Sequence, residues 1–124
     1  MESEPTARQT IVIVDDHPSF LAVARFVLQA EGFDVVGVAT DGESALHEAV
    51  RSSPQIVLLD VSLPDMDGFE VASRLRAAGV SSTIVFTSSR ERAEFGSLVT
   101  DSGGAGFIAK ADLSGDALRA VALP

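Results

Sequence analysis

Residues 56–68 read IVLLDVSLPDMDG. An apolar run leads without interruption into a carboxylate, Asp60, and then into an acidic, turn-rich segment. Pro64 and Gly68 follow Asp60 at four and eight residues. A short continuous apolar run bounded by turn residues reads as a strand buried on both faces. A buried strand does not end on a negative charge without a reason, so its carboxyl end is the first place to look for chemistry.

The flanking sequence repeats this pattern. TIVIV (10–14) is a second apolar, β-branched strand, followed by DDHPS. Pro18 suits the first turn of a helix. Phe20, Val23, Ala24, Val27 and Leu28 recur at helical spacing up to Gly32. FDVVGVA (33–39) is a strand. A helix opens at Asp41, carries Ala45, Leu46, Ala49 and Val50 on one face, and is closed by Pro54. The strand at 55–60 precedes a helix over about 68–78, with Phe69, Val71, Ala72 and Leu75 apolar. STIVFTS (82–88) is a fourth strand. RERAEFGSLVTDS is a weaker helix, because Gly96 inside it costs about 1 kcal/mol against Ala. GGAGFIAK (103–110) supplies a short fifth strand, and LSGDALRAVALP a last helix.

Strand and helix thus alternate five times, without repeats, low-complexity segments or linkers. This is an α/β pattern, a parallel sheet covered by helices on both faces. Right-handed crossovers place the carboxyl ends of all strands on one edge, where ligands bind in open sheets of this kind.

Composition narrows the function classes. A chain of 124 residues suits one domain. We assign residues 1–9 to an N-terminal tail and 10–124 to that domain. Nine Lys and Arg against 18 Asp and Glu give a formal net charge of −9, which argues against direct nucleic-acid binding and against an anionic membrane surface. The chain has no cysteine, which excludes disulfides, thiolate metal sites and cysteine nucleophiles. No apolar stretch approaches the ~18 residues of a membrane span. The polar start, MESEPTARQT, lacks the apolar core of a signal peptide, so a cytoplasmic location is expected.

The strand ends carry a specific set of groups. The first ends at Asp15 and Asp16, the third at Asp60, the fourth at Thr87 and Ser88, the fifth at Lys110. The second ends in Ala39 and Thr40, which carry no comparable group. Three converging carboxylates raise one another's pKa and destabilise the fold. A hard dication with oxygen ligands relieves this, and Mg²⁺ accepts two carboxylates plus waters. Lys110 adds positive charge, so the site could accept a dianion. Asp60 is then a candidate nucleophile towards phosphorus, with Mg²⁺ neutralising charge on the transferring group. Each feature alone has a bland reading, as helix cap, solvated turn or surface lysine; their conjunction at one edge gives them weight. His17 and His47 are read as surface residues, and Gly103, Gly104 and Gly106 as a turn rather than a phosphate loop.

With these residues in place, the chain resembles a response-regulator receiver domain over about residues 10–122. The carriers are IVIVDDHP, LLDVSLPDMDG, IVFTSS and GFIAK. The resemblance implies a doubly wound, flavodoxin-like (βα)5 fold with strand order 2-1-3-4-5. It implies Asp60 as phospho-acceptor, Thr87 as switch hydroxyl, Phe107 as switch aromatic and Lys110 as active-site lysine. Asp16 and Asp60 would ligate Mg²⁺ directly, with the Ser62 backbone carbonyl as third protein ligand and Asp15 acting through water. Ser62 and Ser89 occupy the positions that influence phosphoryl lifetime; both are small, and bulk at Ser89 is expected to slow hydrolysis. The implied partners are a sensor histidine kinase and a second copy of the chain, paired through the face of the fourth helix, fifth strand and fifth helix. DDHPSF and FDVVGVATDGESAL look most like the LuxR-type subfamily, whose members usually carry a C-terminal helix-turn-helix. No such segment follows within the 124 residues, which leaves open a receiver that works alone and one cut from a longer chain.

Three positions depart from the family pattern. Ala111, not Pro, follows the lysine, so the neighbouring peptide is not expected to be cis. Ser88 replaces the usual Ala after the threonine, and Gly104 replaces Ala in the turn before Phe107. Two rival functions fit less well. A phosphatase using an aspartyl-phosphate would want an acid two residues after the nucleophile, where Ser62 sits. A binding-only receiver would typically lack an acid-pocket residue or the lysine, and none is missing.

Overall fold

A computed structural model describes residues 8–122. The elements are β1 (Gln9–Val14), α1 (Pro18–Ala30), β2 (Phe33–Ala39), α2 (Gly42–Ser52), β3 (Ile56–Asp60), α3 (Gly68–Ala77), β4 (Thr83–Ser88), α4 (Leu98–Asp101), β5 (Gly106–Ala109) and α5 (Gly115–Ala122). Short 3₁₀ turns span Arg92–Phe95 and Lys110–Asp112. The tail assigned to residues 1–9 lies outside the described residues as far as residue 7, and β1 begins at Gln9.

The five strands form one sheet in the order β2-β1-β3-β4-β5, as expected. Every pairing is parallel. Successive side chains of a strand point to opposite faces, and the core divides accordingly. Val57 and Leu59 of β3 pack with Val12, Val14 and Phe86 under α2 and α3. Ile56 and Leu58 pack with Ile11, Ile13 and Val85 under α1 and α5. Burial on both faces explains why β3 reads as an unbroken apolar run. Register sets Val14 beside Leu59 and Asp60 beside Thr87. The residues that follow Val14, Asp60 and Ala109 therefore leave the sheet along one edge.

Two helices bury narrower stripes than their spacing suggests. Val23 and Val50 are each 58% exposed, whereas their neighbours Ala24 and Ala49 are buried. Small residues at the contact let α1 and α2 sit close to the sheet, and the valines beside them turn outward. The helix read over 90–102 is also corrected. It is a 3₁₀ turn and a single α-turn separated by Gly96, whose φ of +58° breaks the hydrogen-bond ladder. The first piece closes on itself, with the Glu91 N–H donating to the Glu94 carboxylate.

Gly104 has a packing reason. A Cβ there would lie 2.4 Å from Phe86 Cε2 and 2.7 Å from the Val99 carbonyl oxygen. The Phe86 ring fills the space that an alanine methyl would take. We expect Gly104→Ala to cost about 1–3 kcal/mol, the usual range for overpacking. Combining it with Phe86→Leu should recover part of that loss in a denaturant double-mutant cycle, whereas strict additivity would show that the two sites do not share the space.

Candidate functional site: an acid pocket at the sheet edge

The loop after β3 explains the spacing in DMDG. The Asp65 carboxylate accepts hydrogen bonds from the Gly42 and Glu43 N–H groups at 2.7 and 3.0 Å, tying the loop to the N-terminus of α2. These bonds hold the Asp65 carboxyl below the usual carboxylate range. Asp67 caps α3 by accepting from the Glu70 N–H at 2.8 Å. Gly68 donates its N–H to the Val61 carbonyl at 2.7 Å. A Cβ at Gly68 would lie 2.4 Å from the Asp60 carbonyl oxygen. Only glycine lets α3 start against the backbone of Asp60, and the eight-residue spacing is the length of loop that returns the chain there. Pro64 lies exposed within that loop.

Four predicted residues meet at the edge. Asp15 is fully buried and Asp60 is 2% exposed. Asp15 Oδ1 accepts the His17 backbone N–H at 2.8 Å, while its Oδ2 lies 2.6 Å from Lys110 Nζ. Asp60 Oδ1 accepts the Ser62 N–H at 3.1 Å, and Asp60 Oδ2 accepts from Lys110 Nζ at 3.2 Å. Lys110 thus bridges two carboxylates, and its ammonium also sits 4.7 Å from the centre of the Phe20 ring. Asp16 is half-buried. One ligand atom each from Asp15, Asp16, His17 and Asp60 lie within 4.8 Å of one another.

Burial pushes the Asp60 carboxyl above its ordinary range, and the Asp15 charge adds to this; the Ser62 N–H and Lys110 oppose it without winning. For Lys110, burial acts to lower the pKa, but pairing with Asp15 and Asp60 outweighs it and holds the ammonium above its ordinary value. Three carboxylates and one ammonium carry a formal charge of −2. Asp16 Oδ1 and Thr87 Oγ1 are buried without hydrogen-bond partners. Oxygen donors, a charge matched by one dication and an unsatisfied carboxylate oxygen together fit Mg²⁺.

The remaining predicted residues sit around this pocket. Thr87 is fully buried at the end of β4, and its carbonyl accepts the Val61 N–H at 3.0 Å. Ser62 and Ser89 are exposed. Phe107 is half-buried, its ring centre 5.7 Å from that of Phe95, which in turn lies 5.7 Å from Phe69. No peptide bond among the described residues is cis.

His47 and His17 are both exposed, in line with their surface reading. The His17 ring is 62% exposed, yet Nδ1 lies 3.0 Å from Asp15 Oδ1 and 3.2 Å from Asp16 Oδ1. The signal for it was its position directly after the acidic pair and before Pro18, where the chain must turn back over the strand end. Phe95 was also missed, because the helix read through Gly96 gave it no particular direction.

A family model described as the response regulator receiver domain matches residues 11–122. The chain belongs to that family. BvgA of Bordetella pertussis, named as a virulence-factor transcription regulator, is 33% identical over 100 residues, covering 81% of this chain and 48% of its own. The signal receiver domain of NarL from Mycobacterium tuberculosis superposes with a TM-score of 0.84 at 29% identity, covering 93% of this chain and 96% of that one. A two-component response regulator of the LuxR family from Aurantimonas sp. SI85-9A1 superposes with a TM-score of 0.75 at 26% identity, covering 83% and 74%. The receiver is therefore similar to LuxR-type regulators, and it spans about half the length of the curated relatives it matches. No helix among the described residues is long and apolar enough to cross a membrane.

Proposed function

We propose that this receiver is a phosphorylation switch in which Asp60 takes a phosphoryl group from the phosphohistidine of a sensor kinase. The observation that carries this reading is the meeting of Asp15, Asp16 and Asp60 around Lys110, beside the unpartnered Thr87 hydroxyl. An Asp60 carboxylate oxygen attacks phosphorus, the P–N bond to the donor imidazole breaks, and that nitrogen leaves with the electron pair. Asp16, Asp60 and the Ser62 carbonyl would hold Mg²⁺, with Asp15 acting through water. When bound, the ion supplies positive charge to the phosphoryl oxygens. The reaction belongs to the receiver itself, as does slow hydrolysis afterwards. Ser62 and Ser89 leave phosphorus open to water without orienting it, which favours an intermediate lifetime.

Once formed, the adduct offers acceptor oxygens to Thr87 Oγ1 and Lys110 Nζ. Lys110 already donates to Asp60 and exchanges that bond, whereas the bond from Thr87 Oγ1 is new and, being charge-assisted, is worth about 1.5–3 kcal/mol. Inverting a two-state population from 1:99 to 99:1 takes about 5.5 kcal/mol. The bias falls short of a full inversion, so in this reading the resting domain already samples the active form. Movement of Thr87 draws Phe107 inward and reshapes the α4–β5–α5 face. That face carries a groove of about 440 Å³ lined by Arg92, Phe107, Ala117 and Val121, which suits an output partner or a second copy of the chain. The net charge fits a domain that does not itself bind nucleic acid, in a cytoplasmic protein.

Labelling with a small phosphodonor tests this. We expect an acid-stable, base-labile adduct in Mg²⁺, lost in excess chelator and strongly reduced in Asp16→Ala. Labelling that proceeds unchanged in chelator would remove the acid pocket from the mechanism.

A further inference from the structure

We propose that His17 supplies an imidazole nitrogen to the cation site, so that the site takes a first-row transition dication such as Mn²⁺ or Co²⁺ in preference to Mg²⁺. The inference rests on the acid-pocket reading above and adds one ligand to it.

His17 stands at the N-cap of α1, but its side chain makes no capping hydrogen bond. Its backbone N–H is already taken by Asp15 Oδ1 at 2.8 Å, which folds the residue back over the strand end. Nδ1 then lies 3.0 Å from Asp15 Oδ1 and 3.2 Å from Asp16 Oδ1. Adjacent ligands of an octahedral ion with bonds of roughly 2.1 Å lie about 3 Å apart. Nδ1 and Asp16 Oδ1, the two direct ligands, already have that spacing.

The same nitrogen lies 3.4 Å from Lys110 Nζ. An ammonium only donates and a carboxylate only accepts. One ring nitrogen set between them cannot satisfy both: with a proton it opposes the ammonium, and without one it opposes the carboxylates. Asp16 Oδ1, buried, has no hydrogen-bond partner at all. A dication beside Nδ1 and Asp16 Oδ1 accepts both of their lone pairs, with Asp15 still reached through water. The exposed ring lets the ion arrive from solvent without opening the fold.

Imidazole is a good ligand for first-row transition ions and a poor one for Mg²⁺, which prefers oxygen. A nitrogen ligand therefore changes selectivity more than capacity. Removing it should cost at least roughly 10-fold in Co²⁺ affinity, the low end of what disturbing a ligand's outer partners costs, and leave Mg²⁺ affinity little changed.

The test uses Mn²⁺ and Co²⁺ themselves as probes. Mn²⁺ binding is followed by electron paramagnetic resonance, nitrogen coupling by the pulsed form of the method, and Co²⁺ and Mg²⁺ affinities by competition against Mn²⁺. The samples are the wild type, His17→Gln and Asp16→Ala. We expect directly coordinated nitrogen in the wild type, its loss in His17→Gln with Mn²⁺ still bound, and a Co²⁺-over-Mg²⁺ preference that collapses in the variant. Mn²⁺ bound in an Asp16-dependent manner without nitrogen coupling would overturn the proposal and leave the acid pocket intact. Mn²⁺ binding indifferent to Asp16→Ala, or no binding at all, would overturn both.

Discussion

Asp60→Asn is expected to abolish the phosphoryl adduct and, in metal-free buffer at neutral pH, to make the protein more stable. The two effects have one origin. The Asp60 carboxylate is buried beside Asp15, and its pKa is raised first by burial and then by the neighbouring charge. A carboxyl whose folded pKa lies above its unfolded value of about 3.9 binds more protons in the folded state across that interval. Its contribution to stability is present below the unfolded pKa and is lost as pH rises through the folded one. Above that window the ionised carboxylate costs stability, and asparagine removes the cost while keeping the shape. The gain should be small, because relief of burial and of repulsion from Asp15 is partly offset where Lys110 loses one of its partners. For a domain of this size that is a rise in melting temperature of roughly 4 °C per kcal/mol. The gain should shrink as the pH of the thermal scan is lowered towards 4 and as Mg²⁺ is added to the wild type. A variant less stable than wild type in chelator at pH 7 would contradict the account of the pocket as a site of stored repulsion.

Lys110→Met should have the opposite sign and a larger size. Lys110 is the one cation that contacts both Asp15 Oδ2 and Asp60 Oδ2 among the described residues, and its side chain is 15% exposed. Methionine keeps an unbranched stem against Phe20 and removes only the charge. Breaking a buried ion pair on one side costs about 3–5 kcal/mol because the remaining charge is uncompensated. We expect about 3 kcal/mol, since part of the pocket is open to water at Asp16 and His17. The corresponding fall in melting temperature is roughly 12 °C. Mg²⁺ should restore most of it, since a ligand at 100 times its dissociation constant adds about 2.7 kcal/mol. The wild-type contribution of Lys110 has its own pH signature. Its folded pKa lies above the unfolded one, so the stability it supplies is complete at neutral pH and is lost only as pH rises through the folded value in the alkaline range. Thermal unfolding of the variant with and without Mg²⁺ checks both parts. A variant as stable as wild type in chelator would show that Lys110 does not compensate the carboxylates.

Much of this was legible in the sequence because the strands are buried on both faces. Unbroken runs such as IVIV and IVLL need no context to be recognised, and once five of them alternate with helices the location of the edge follows from chain handedness, whereas the strand order came from the family resemblance. The acidic residues at the edge were legible for the same reason: each stands where an apolar run stops. What was not legible depends on close packing or on loops. Val23 and Val50 fit the helical period but lie beyond the strip that Ala24 and Ala49 bring against the sheet. Gly96 divides the segment after β4 in a way that a propensity of about 1 kcal/mol does not foretell. Asp65 reads as part of a solvated acidic turn, although its partner is the start of α2, 22 residues earlier in the chain for Glu43. His17 reads as a surface histidine and is exposed, but the approach of its ring nitrogen to Asp15 and Asp16 depends on how the chain turns after β1.

The most direct test of the central claim is to find where the phosphoryl group resides. The protein is labelled with a small phosphodonor in Mg²⁺, reduced with borohydride to convert any acyl phosphate to an alcohol, digested and mapped by mass spectrometry. The account predicts homoserine at position 60 and at no other aspartate. Reduction at Asp15 or Asp16, or a borohydride-resistant phosphate on His17 or Ser62 in place of that product, would contradict it.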